Sequence, residues 1–229
     1  AASSSASSSA PRRWSADAWA LIRSGTGGVL GSGAYPATYG ASQSGAIVRY
    51  RIAPRSAYLP TAYLRSTSTL GGASQATAAM GLSLRPIATL PIVAAAEGRL
   101  TSGTGGNRVQ PVALAVSELP PIELGRGLRL EAYGQGGYVA GKYATAFADG
   151  QARVDREVAS LGQVRARLGA GVWGGAQKGV ARFDAGPSAA VTMPLGKQRY
   201  GRLGLDWRFR VAGDAEPGSG PAVTLSAGF

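Results

Sequence analysis

The last ten residues, Gly220 to Phe229 (GPAVTLSAGF), put Val223, Leu225, Ala227 and Phe229 on one face of a strand and Ala222, Thr224, Ser226 and Gly228 on the other. Successive side chains of a strand point to opposite faces, so this spacing separates hydrocarbon from small and polar groups. A strand immersed in lipid must show hydrocarbon at every second position, with the residues between facing a polar or small-residue interior. The pattern therefore confines the chain to a narrow set of folds, those in which a closed sheet has lipid on one side.

The same alternation recurs upstream at the spacing of barrel strands. It predicts strands over Trp14–Arg23, Gly45–Ala53, Ala57–Arg65, Gln75–Pro86, Leu90–Leu100, Asn107–Ser117, Gly127–Val139, Ala144–Glu157, Gly162–Gly174, Val180–Met193 and Tyr200–Val211. The pattern is strongest over Tyr200–Val211, where Leu203, Leu205, Trp207, Phe209 and Val211 oppose Arg202, Gly204, Asp206, Arg208 and Arg210. It is weakest over Trp14–Arg23 and Asn107–Ser117. With the terminal strand the total is about twelve, an even number as single-chain bacterial barrels require. The expected fold is all-β: a transmembrane antiparallel up-and-down β-barrel over residues 13–229, with short periplasmic turns and longer external loops. The loop rule is met by 24–44 and 54–56, but 118–126 is long for a turn and 140–143 short for an external loop. Pro187, inside a candidate strand, predicts a bulge or break there.

Composition agrees with a barrel. Gly accounts for 35 of 229 residues, about twice ordinary usage, and only 16% of residues are charged. Large apolar residues are too sparse for the core of a water-soluble domain of this length. The longest charge-free runs, Ser24–Val48 and Ser66–Leu84, are rich in Gly, Ser, Thr and Gln, which a helix in hydrocarbon does not favour. Residues 1–12 open with an Ala/Ser run that ends in Pro, the composition of a flexible tether. The chain starts without Met or an apolar leader, as expected if a secretory signal peptide has been removed.

His and Cys are both absent. That removes the usual zinc ligands, the near-neutral general base and the partner that activates a Ser or Cys nucleophile. No catalytic residue, metal or cofactor is expected, and an enzymatic role is disfavoured. Gly169–Gly174 (GAGVWG) fits G-x-G-x-x-G, but no helix or distal acidic partner follows, so a chance match in a Gly-rich chain is the simpler account.

The feature nearest to function is the excess of 24 Lys and Arg over 12 Asp and Glu. The strand register turns Arg49, Arg51, Arg99, Arg129, Arg153, Arg165, Arg167, Arg182, Arg202, Arg208 and Arg210 inward, with Glu97, Glu131, Asp149, Asp155, Asp184 and Asp206. Charge at mid-membrane depth is tolerated where the interior is polar or paired. Two readings follow: an arginine–carboxylate network that fills and stiffens a narrow barrel, or a basic conduit that lowers the barrier for anions or acidic glycans. Nucleic acid is not an expected partner, because the basic residues alternate with lipid-type residues and form no stripe. Aromatic residues near predicted strand ends, among them Trp14, Tyr58, Tyr138, Tyr200 and Trp207, suit an interfacial girdle. Tyr133 and Trp173, on the inward register, are the candidates for sugar stacking.

The terminal segment resembles the C-terminal targeting strand of bacterial outer-membrane proteins. That resemblance implies that Phe229 is read by the barrel assembly machinery and that the protein sits in outer-membrane lipid. The segments GLRLEAYGQGGYVAGK, AFADGQARV, GAGVWGGAQKGVARFDAGPS and DWRFRVAGDAEPGSGPAVTLSAGF are similar in style to the C-terminal barrel domains of periplasmic-repeat outer-membrane proteins, a group of exopolysaccharide exporters and phage-adsorption receptors. This second resemblance implies a helical-repeat periplasmic partner or upstream segment joined through the tether. The sequence thus points to a passive pore or export conduit with an Arg-rich lumen, or alternatively to a non-conducting barrel that anchors or docks a surface or periplasmic assembly.

Overall fold

In the computed structural model, which describes residues 12–24, 42–70, 75–103, 106–196 and 199–229, every regular element is a strand. The strands are β1 (Trp14–Arg23), β2 (Gln43–Arg51), β3 (Thr61–Thr69), β4 (Gln75–Leu84), β5 (Ile92–Gly103), β6 (Arg108–Ser117), β7 (Ile122–Gly125), β8 (Leu128–Val139), β9 (Thr145–Leu161), β10 (Val164–Gln177), β11 (Val180–Gly196), β12 (Arg199–Gly213) and β13 (Gly220–Gly228). Sequence neighbours pair antiparallel, β1 pairs with β13, and β6 pairs with β8. Twelve strands thus close a cylinder, and β7 is an addition hydrogen-bonded to β8. The start of β1 and the C-terminal Phe229 lie at one rim, where Ala16 and Phe229 exchange backbone hydrogen bonds at 3.1 and 3.4 Å. Residues 1–11 of the expected tether, and most of the first expected connection, lie outside the described residues.

The molecule is inside-out relative to a soluble protein. Along β12, Leu205, Trp207, Phe209 and Val211 are exposed on the outer surface, while Asp206 and Arg208 are 4% and 7% exposed within. Met80, Leu64, Val109 and Leu225 are likewise exposed, whereas Glu97, Thr101, Gln110, Asp155 and Arg182 are buried. The buried apolar cluster consists of Val180 and Ala215. Hydrocarbon on the outside of a closed sheet is the arrangement that lipid selects.

Three local expectations are revised. The third strand begins at Thr61 rather than Ala57, because Pro54 and Pro60 bracket tight turns closed by Ser56 N–H to Ala53 and Leu59 N–H to Ser56. The long 118–126 connection contains β7, which turns back through Arg126 and Gly127, both at positive φ (53° and 76°). There β7 covers Leu128–Leu130 of β8, while β6 covers Gln135–Val139. Pro187 does not break β11: it stands opposite Ala170, and the register shifts fall at Phe183/Asp184 and Pro194/Gly196 instead. The ladder to β12 merely skips positions 186 and 187, where the absent side chain of Gly186 lets the Trp207 carbonyl come close. The GAGVWG segment lies within β10.

Candidate functional site

A cavity of about 860 Å3 occupies the barrel interior. It reaches from Ser15, Arg51 and Glu118, near the rim with the termini, to Thr69, Gln75 and Gln177, near the far rim. Its wall along β2–β5 is polar because the inward register of those strands carries Thr, Ser, Gln and Arg. There Glu97 on β5 accepts from Arg65 at 2.5 Å, Arg99 at 2.8 Å and the Tyr63 hydroxyl at 2.8 Å. The Glu97 side chain is 1% exposed, against 23% for Arg65 and 19% for Arg99. Glu97, Arg65, Arg99 and Tyr63 all line the cavity, and the guanidiniums are the more exposed groups.

The opposite wall, β8–β12, is filled by ion pairs that cross the interior between strands that are not neighbours. Arg202 on β12 meets Glu131 on β8 at 2.6 Å, Arg153 on β9 meets Asp206 on β12 at 3.0 Å, and Arg23 on β1 meets Asp184 on β11 at 3.1 Å. Asp206 also takes Arg208 at 3.1 Å and the Ser188 hydroxyl at 2.7 Å. Asp184 also takes Arg182 at 2.8 Å. Arg182 in turn donates to the carbonyl oxygens of Ala215, Pro217 and Gly218, so the 214–219 connection is drawn over the far mouth. Nearer the termini, Arg129 meets Glu131 at 2.7 Å and Asp155 at 3.5 Å, Arg167 pairs with Asp155, and Arg49 meets Asp17 at 2.5 Å.

Of the expected interior residues, Arg49, Arg51, Arg99, Arg153, Arg182, Asp184, Arg202 and Arg208 line the cavity. Arg129, Glu131, Arg167 and Asp206 stand in the ion-pair network beside it. Arg165 and Arg210 are exposed, Arg210 with Glu216 at 3.4 Å. Phe229 is exposed at the rim, its ring 5.7 Å from the Arg12 guanidinium. Arg23, Arg65 and Tyr63 were not anticipated. Arg23 ends a weakly patterned strand, and Arg65 sat at the end of a predicted strand whose alternation with Leu64 already placed it inward.

The aromatic residues divide. Trp14 packs against Tyr50 with the rings tilted and 4.8 Å between centroids, and it is exposed at the rim, as a girdle requires. Trp19, Tyr133 and Trp173 line the cavity instead. The Trp173 ring is flanked by Arg208 at 4.5 Å and Arg153 at 5.4 Å, so guanidiniums already occupy it. Tyr133 stands open at 37% exposure.

A closed antiparallel cylinder with an apolar outside and a charged inside belongs in a bilayer, and the protein is a transmembrane β-barrel. No protein-family model matches the sequence, and no curated protein does. Among solved structures, a NanC porin matches 93% of this chain and 98% of its own at 10% identity and a TM-score of 0.45. The β domain of the Bordetella autotransporter BrkA matches 95% and 98% at 12% identity and a TM-score of 0.47. A bacterial polysaccharide outer membrane secretin matches 96% and 99% at 7% identity and a TM-score of 0.45. Likeness at this level carries no argument about activity.

Proposed function

We propose that the barrel is a passive conduit for anions or acidic glycans, and that its role is non-catalytic. The observation that carries this reading is the surplus of positive charge on the cavity wall: the guanidiniums of Arg65 and Arg99 share the single carboxylate of Glu97 and are more exposed than it is. Arg51 also lines the cavity, and among the described residues no carboxylate lies within ion-pair distance of it. In a low-dielectric channel, excess charge of one sign on the lining sets selectivity. Tyr133 offers an apolar face against which a sugar ring can stack.

The test is reconstitution of the protein in a planar bilayer under a salt gradient. A reversal potential of the sign that favours anions is expected, and a reconstituted barrel that passes no current refutes the conduit. The cross-interior pairs Arg202–Glu131, Arg153–Asp206 and Arg23–Asp184 favour the second reading, a closed barrel that anchors an assembly. Under that reading the current is absent and a periplasmic or surface partner co-purifies.

A further inference from the structure

The ion-pair wall on β9–β12 holds more N–H donors than acceptors. Nε of Arg23, Arg153 and Arg208 and Nε1 of Trp173 are buried with no hydrogen-bond partner among the described residues. The four residues are only 5–8% exposed. They belong to one cluster: Arg153 and Arg208 share Asp206 Oδ2 and flank the Trp173 ring. Arg208 also lies close enough to feel the charges of Arg23 and of Arg153.

The charge of the cluster is equally unbalanced. Arg23 and Arg182 share Asp184, and Arg153 and Arg208 share Asp206, so each carboxylate leaves one positive charge over. Buried charge without compensation is costly, and unpartnered buried donors add to that cost. Asp184 Oδ1 and Thr224 Oγ1 are buried without partners as well, so the geometry keeps the free donors from these acceptors. Ordered water would satisfy N–H groups but not the surplus charge. A small anion satisfies both.

We propose that this cluster is a binding site for a small inorganic anion, chloride being the abundant one, seated among Nε–H of Arg23, Arg153 and Arg208 and the indole N–H of Trp173. Entry is from the interior cavity, which Arg153, Trp173, Arg182 and Arg208 line. The ion acts as a resident counter-ion that holds the wall together, and it is present whether or not the barrel conducts.

The test uses the full chain in detergent. Crystals grown in bromide should show anomalous scattering within hydrogen-bond distance of at least two of the four N–H groups. The unfolding temperature should be higher in sodium chloride than in sodium gluconate at equal ionic strength, and should climb with chloride concentration as ligand linkage requires. Trp173→Phe, which keeps an aromatic face for the guanidiniums and deletes the donor, should shrink that difference. Water alone at the four N–H groups, equal unfolding temperatures in the two salts, or a full chloride effect in Trp173→Phe would each overturn the assignment. Absence of current in the bilayer experiment leaves these expectations intact, so the two proposals fail separately.

Discussion

Asp184 holds Arg23 and Arg182 at once, and its side chain is 2% exposed. Replacing it with Asn leaves two guanidiniums buried against each other, a change that typically costs about 3–5 kcal/mol. Urea unfolding from lipid vesicles measures that loss. Gly186 and Gly98 make a paired prediction on packing. A Cβ at Gly186 collides with the Trp207 backbone carbonyl, and one at Gly98 meets nothing within 4 Å. Gly186→Ala should therefore cost about 1–3 kcal/mol, and Gly98→Ala should stay within about 0.5 kcal/mol of the parent. The inward direction of residues such as Arg49, Arg99, Arg153 and Arg208 was legible in the sequence, because parity along one strand fixes it. Their partners were not. Arg202 meets Glu131 across the interior, four strands away in the sheet, and nothing local in either segment encodes that distance.

At the scale of the strand, the outer face of β12 is the most heavily apolar, and Leu205 lies within it. Leu205→Arg should cost about 2–4 kcal/mol, the penalty for a guanidinium near the bilayer midplane; refolding equilibria in vesicles report it. The seam between β6 and β8 is short, with Val112–Val116 facing Gln135–Val139, whereas β10 runs against β11 from Arg165 to Gln177. Amide exchange should accordingly be faster at Ser117 and its neighbours than at mid-β10, a difference that mass spectrometry of the exchanged protein resolves. Strand existence was readable because lipid enforces period two on every crossing. The β7 hairpin was not readable: Ile122–Gly125 is too short to alternate, and its fold depends on β8 lying alongside. The effect of Pro187 was also hidden. A proline facing outward loses one ladder bond without moving the strand, and Gly186 beside it absorbs the close approach of β12.

For the whole molecule, the proposed conduit predicts that charge removal on the open wall changes selectivity without changing stability much. Arg51 reaches the cavity and lies outside the buried ion pairs. Arg51→Gln should move the reversal potential toward zero in a salt gradient, while the unfolding temperature changes little; an unchanged reversal potential would show that this guanidinium does not govern permeation. The cylinder is also unequal in height. The first residue of β8, Leu128, pairs with Arg156, so Glu157–Leu161 of β9 run on past the end of their neighbour, and Leu161 at their tip is 84% exposed. The mouth on that side is a spout rather than a ring. Anything that seats against it touches one lip before the other, which gives the axis of the barrel a preferred azimuth that a level rim would lack.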